Sequence, residues 1–109
     1  MTWTTLREHV ELLLEHVTLT GAVEHDPSQN GLTITCPDTG ESEALTVDLT
    51  SYGYVAFPGE VFVKDWSEHS GVADAIQAAG IATVVEQITI GPFESTAYRM
   101  RLAQRDEPR

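Results

Sequence analysis

Basic residues are scarce in this chain. One lysine, Lys64, and five arginines face seventeen aspartates and glutamates, a formal net charge of −11 at pH 7. The deficit is uneven: residues 1–60 hold ten acids and the single base Arg7, a net of −9, and residues 61–109 a net of −2. Direct binding to nucleic acid or to an anionic membrane is disfavoured, because like charges repel. A basic protein is the partner such a field favours. The same acidity is also ordinary in GC-rich or salt-adapted genomes, where it only keeps a surface solvated. The composition fits both readings.

Cysteine is nearly absent. Cys36 stands alone, which excludes an intrachain disulfide and fits a reducing cytoplasm. Long apolar runs are absent too. The first apolar stretch, Val10 to Val17, is interrupted by Glu11, Glu15 and His16, so neither a signal peptide nor a membrane span is expected. The sequence has no glycine-rich phosphate loop, no paired-cysteine knuckle and no basic surface interleaved with aromatics. No cofactor, metal or catalytic residue is expected from motifs.

What remains is enough for one domain. The chain has 109 residues, of which 41% are apolar, and that suffices for a core without covalent staples. The expected organisation is a single domain over residues 1–103 with a polar tail over 104–109.

Leu6, Val10, Leu13, Leu14 and Val17 recur at helical spacing and predict an N-terminal helix. Thr5 and Glu8 stand at the spacing of a capping box, and Thr18 to Gly21 would end the helix. Alternation predicts strands over Leu32–Cys36 and Leu45–Thr50, with a shorter one over Ala22–His25. Pro27–Gly31 and Pro37–Gly40 read as turns between them. Tyr54–Phe57 and Val61–Lys64 flank Pro58-Gly59 as a hairpin. A second short helix is capped by Ser70, buries Val72, Ala75, Ile76 and Ala79, and ends at Gly80. Thr83–Ile90 and Thr96–Leu102 form a last hairpin. The expected fold class is α+β: a mostly antiparallel sheet with an N-terminal helix and a second short helix packed on one face.

Four places carry chemistry worth weighing. Asp38-Thr39-Gly40 matches the aspartic-protease tripeptide, whose paired aspartates activate water. Here Pro37 precedes it where those enzymes have an apolar strand, so a β-turn is the better reading. His9 and His16 lie two helical turns apart, roughly 10 Å, too far to share a metal. Cys36 stands near His25 across a turn, yet continues the apolar face of Leu32 and Ile34 and reads as a buried structural thiol. The densest polar cluster is Lys64–Ser70, between a strand and a helix start, where sites are often built. Asp65, Trp66, Glu68 and His69 are its candidate binding residues, Trp66 as an anchor or as a plug at the core edge. Glu41, Glu43 and Asp48, expected on one hairpin, are the candidate electrostatic contacts.

The stretch Val61-Phe62-Val63-Lys64-Asp65-Trp66-Ser67-Glu68, with Gly71 and Ala75–Ile81 after it, resembles a segment of small uncharacterised proteins of actinobacteria and their phages. It covers about a fifth of the chain, and His69 stands where that group has Asn. The resemblance implies a high-GC bacterial or mobile-element origin and no particular activity.

The functional expectation is a non-enzymatic, acidic, cytoplasmic interaction protein binding a basic partner, as a phage accessory or an immunity-type inhibitor would. Its alternatives are a nucleic-acid mimic that inhibits a DNA-binding protein, and a small ligand-binding or hydrolytic domain.

Overall fold

The computed structural model describes residues 3–103. The polar tail expected over 104–109 lies outside them. Among the described residues seven strands form two antiparallel sheets: β1 (Thr4–Leu13), β2 (Thr18–Asp26), β3 (Gly31–Thr35) and β4 (Ser42–Ala44) in the order β1-β2-β3-β4, and β5 (Glu60–Lys64), β6 (Ala82–Ile90) and β7 (Ser95–Leu102) in the order β5-β7-β6. One α-helix, α1 (Val72–Ala78), stands among the described residues, with 3₁₀ turns at Thr50–Tyr52 and Ser67–His69.

The expected N-terminal helix is therefore overturned: its residues form β1 and the first half of a hairpin with β2. The cause is a degenerate spacing. Leu6, Val10 and Leu14 recur every four residues, and four serves both a helix and a two-residue strand period. Leu12 and Leu13 decide between them. Leu12 pairs with Leu19 and is fully buried, whereas Leu13 is 68% exposed. Thr5 and Glu8 consequently form no capping box. Register shifts between Thr5 and Arg7 and between Arg7 and Val10 let the strand bend.

Two clusters make the core. The first lies between the sheets and α1: Leu12, Val23, Leu32 and Ile34 from one sheet meet Val61, Val63, Ala82 and Met100 from the other, with Val72 and Ile76 from α1. Gly21 is needed at the β2–β3 crossing, because a Cβ there would stand 2.0 Å from the Thr35 carbonyl oxygen. The second cluster, Leu49, Phe62, Ile88, Ile90 and Ala97, lies on the opposite face of the second sheet. The bulge at Val85 makes both possible: Ala82 and Val84 face the first cluster, Ile88 and Ile90 the second.

The chain from Leu45 to Phe57 runs from the first cluster, where Leu45 is buried, over the second, where Val47, Leu49, Tyr54 and Ala56 pack. It was expected to hold a strand over Leu45–Thr50 and half a hairpin over Tyr54–Phe57. Instead β4 ends at Ala44, only Thr46 bridges to Val63, and β5 pairs with β7. Residues 54–57 run as an unpaired extended layer, Tyr54 and Ala56 packed inward and Val55 and Phe57 outward. Arg99 ties this layer down. Its Nη1 donates to the Val55 carbonyl at 2.9 Å and to Glu60 Oε1 at 2.7 Å, and its guanidinium lies 4.9 Å from the Phe62 ring centre.

Candidate functional site

The Lys64–Ser70 segment does line a cleft, of about 230 Å³, formed by Lys64, Trp66, Ser67, Glu68, His69 and, from the other sheet, Glu43. The register explains the arrival of Glu43. It sits opposite Ile34, which sits opposite Val23, so all three point toward the core side of the first sheet. From there Glu43 Oε2 reaches His69 Nε2 at 3.3 Å. The His69 side chain is 9% exposed and the Glu43 side chain 48%. The bond thus runs from a buried ring to a half-solvated carboxylate.

The local backbone sets the other members. Ser67 takes a left-handed φ of 54°, after which His69 N–H donates to the Trp66 carbonyl at 2.9 Å and Ser70 N–H to the Ser67 carbonyl at 3.2 Å. That tight turn buries His69 and leaves Glu68 exposed on the rim. Trp66 is half-buried against the second cluster, so one side of the indole plugs the core edge.

Asp65 is not a free binding residue. Its carboxylate accepts the Gly71 and Ala73 N–H groups, each at 2.9 Å, and so caps α1 from six and eight residues upstream. Ser70, the expected cap, makes no side-chain hydrogen bond to the helix start. Glu41, Glu43 and Asp48 do not share one hairpin, because the strand ends at Ala44. Glu41 lines a different cleft, beside Cys36, Ser42 and Thr20. Asp48 accepts the Thr50 N–H and hydroxyl at 2.9 and 2.8 Å, which hold its carboxyl below the usual range.

Cys36 and His25 do not meet. His25 pairs with Leu32, whereas Cys36 follows Thr35, the partner of Ala22. The two are roughly 13 Å apart along the strands. Cys36 is half-buried rather than buried. The Thr39 and Asp38 backbone N–H groups and the Thr39 hydroxyl, in that order, draw its thiol below the ordinary value. Asp38-Thr39-Gly40 is an exposed turn closed by the Gly40 N–H on the Cys36 carbonyl at 2.8 Å.

Chemically, the Trp66–His69 cleft offers two carboxylates, an imidazole, an indole and an ammonium. No hydrogen bond joins Ser67 to His69 among the described residues, so the pair lacks the contact that activates a nucleophile. No group of three or more His, Cys, Asp or Glu side chains among the described residues is placed to hold a metal. Among the described residues no helix is long and apolar enough to cross a membrane.

The sequence reading missed the ion-pair group on the second sheet. Glu60 is buried, and its carboxylate meets Arg99 Nη1 at 2.7 Å and Arg101 Nη2 at 3.6 Å, while Glu86 meets Arg99 Nε at 3.2 Å. Burial alone pushes the Glu60 carboxyl up, but the Arg99 hydrogen bond, the Phe57 N–H and the two arginine charges together bring it below its usual value. The available signal was Arg99 and Arg101 alternating with Tyr98 and Met100 on the last strand.

The chain matches no protein-family model, no curated protein and no solved structure.

Proposed function

We propose that this protein is a non-enzymatic, cytoplasmic interaction module that docks a basic partner, with the Glu43–Trp66–His69 cleft as one anchor point. The separation of charge carries the reading. Among the described residues, every ion pair of an arginine or lysine lies in the Arg99–Arg101–Glu60–Glu86 group of the second sheet. On the first sheet and its turns, Glu8, Glu11, Glu15, Glu24, Glu41 and Glu43 have no such partner, and Arg7 spends its guanidinium on the Leu6 and Gly80 carbonyls. A domain that gathers its ion-paired cations on one sheet and leaves the carboxylates of the other without a cationic partner presents a directional negative field. Such a field steers a cationic surface more than it holds it.

The test is association kinetics with an arginine-rich peptide. Between 0.1 and 1 M salt the Debye length falls from roughly 10 to roughly 3 Å, so the on-rate should drop steeply. The Glu43→Gln, Glu68→Gln double variant should slow association, and Trp66→Ala should mainly speed dissociation. Association that ignores both salt and the double variant refutes the electrostatic reading.

A further inference from the structure

We propose that this protein pairs with a second copy of itself through the free edge of β6, strand against antiparallel strand across a two-fold axis at Ile88. Three strands are sheet edges among the described residues: β1 and β4 of the first sheet and β6 of the second. A bare edge is a row of unmet N–H and C=O groups, and proteins guard it with charge, bulges or brevity. β1 carries Arg7, Glu8 and Glu11 and shifts register twice. β4 has three residues and carries Glu43. β6 runs for nine residues, six of them β-branched, with Glu86 as its single charge. Its first half is guarded by the Val85 bulge and by Gln77 Oε1, which takes the Val84 N–H at 2.8 Å. Glu86 to Ile90 has no such guard.

The hydrogen bonds of β7 show which groups are unmet. The Thr96 carbonyl accepts the Asp65 N–H, and the Leu102 N–H donates to the Gly59 carbonyl, both on the β5 side. Backbone groups alternate in direction along a strand that lies between two neighbours, so Ser95, Ala97 and Arg99 bond toward β6. Their partners there are Ile90, Ile88 and Glu86. Gln87 and Thr89 therefore aim their N–H and C=O groups out of the sheet. No backbone group from another part of the described chain meets them, and both residues are exposed.

The strand complements its own copy. Turned about an axis through Ile88, Gln87 meets the copy's Thr89 and Thr89 meets the copy's Gln87. Each of these pairs exchanges two hydrogen bonds, which satisfies every outward group of the two residues. Charge favours the same register. Glu86 falls opposite the copy's Ile90 and lies roughly 14 Å from the copy's Glu86, at about 3.4 Å per residue. That exceeds the screening length of roughly 8 Å at physiological salt, and the Glu86 carboxylate is already held by Arg99 at 3.2 Å. The acid surplus sits elsewhere. Residues 1–60 carry a net of −9, and their chain joins the second sheet along β5, the edge opposite β6, where Thr46 bridges to Val63. Past Ile90 the register brings the turn that carries Phe93, 89% exposed, alongside the copy's bulge at Val85, 44% exposed. A contact of one short strand per copy is at the small end of interfaces, so the dimer is weak and reversible.

The experiment is sedimentation equilibrium from about 10 μM to about 1 mM protein, with amide hydrogen exchange on the same samples. Wild type should pass from monomer to dimer, and the Gln87 and Thr89 amides should become protected as it does. Added salt should strengthen the dimer, because it screens two net charges of −11. The same salt weakens the docking of a basic partner, so the two associations are told apart and the dimer stands or falls without the function proposed above. Gln87→Lys/Thr89→Lys sets lysine against lysine in this register while lowering the overall repulsion, and should raise the dimer dissociation constant at least about tenfold. Thr89→Pro removes one outward N–H at a position where an edge strand tolerates proline, and should do the same. Neither residue's backbone serves the β7 ladder, so both variants should keep their circular dichroism; the lysine variant decides if the proline one does not fold. Wild type that stays monomeric at the highest concentration overturns the pairing, as does a dimer that survives the lysine variant or forms with these two amides unprotected. Assemblies larger than a dimer overturn the two-fold register. A monomer whose Gln87 and Thr89 amides are protected only by an added threonine–valine peptide overturns the second copy and puts a foreign strand in its place.

Discussion

Replacing Arg99 by methionine removes the cation of a nearly enclosed ion pair and keeps much of its apolar stem. The Arg99 side chain is 14% exposed and that of Glu60 is 7%. The change leaves the Glu60 carboxylate buried with the Phe57 N–H at 3.2 Å and Arg101 at 3.6 Å as its polar neighbours. Breaking such a pair from one side costs about 3–5 kcal/mol, mostly through the uncompensated charge left behind. At about 5 °C per kcal/mol for a domain of this size, the melting temperature should fall by roughly 15–25 °C. Adding Glu60→Gln should return part of the loss, because the stranded charge disappears. The pH dependence has a defined sign. In wild type the folded Glu60 value is depressed, so its stabilisation is complete above the unfolded carboxylate value and is lost as pH falls through the lower folded value. In Arg99→Met burial dominates and raises the carboxyl, so the deficit against wild type should shrink between pH 7 and pH 4. Urea melts at several pH values read both effects. A variant melting within about 5 °C of wild type, with a deficit indifferent to pH, refutes the assignment of this pair as the clamp on the second core.

Leu12→Ala should cost about 2–5 kcal/mol by opening the first cluster, while Leu13→Ala should stay within about 0.5 kcal/mol because Leu13 is exposed; urea midpoints in the reverse order would restore the helical reading of β1. Asp65→Ala should cost about 1–2 kcal/mol through loss of the α1 cap, and Ser70→Ala should be nearly silent by the same melts; equal effects would remove the cap from Asp65. Folded protein should react with iodoacetamide along a pH profile whose midpoint lies below that of a free thiol, because the Thr39 and Asp38 amides favour the Cys36 thiolate. A midpoint at or above the free-thiol value contradicts that turn geometry.

What could be read in advance was local. Asn30, at a positive φ, and Gly40 turn the chain where the sequence placed turns. Gly80, at φ 77°, closes the short helix inside the stretch expected for it. The alternation of the last strand, Tyr98 and Met100 against Ala97 and Arg99, follows from a strict two-residue period, which β6 breaks at its Val85 bulge. The net charge and its bias toward residues 1–60 need no structure at all. Tertiary structure decided everything that a spacing of four or a long separation left open. Leu6, Val10 and Leu14 satisfy helix and strand alike, and only pairing with Thr18–Asp26 selects the strand. Tyr54–Phe57 has a strand's alternation but no free edge of β5 to join, since β7 takes one side of β5 and the Leu45–Val47 segment, bridging through Thr46 to Val63, takes the other. Glu43 and His69 lie 26 residues apart, and Glu60 and Arg99 lie 39 apart. Nothing in a local pattern encodes such pairs, because the free energy that joins them arises only after both sheets have packed and excluded water.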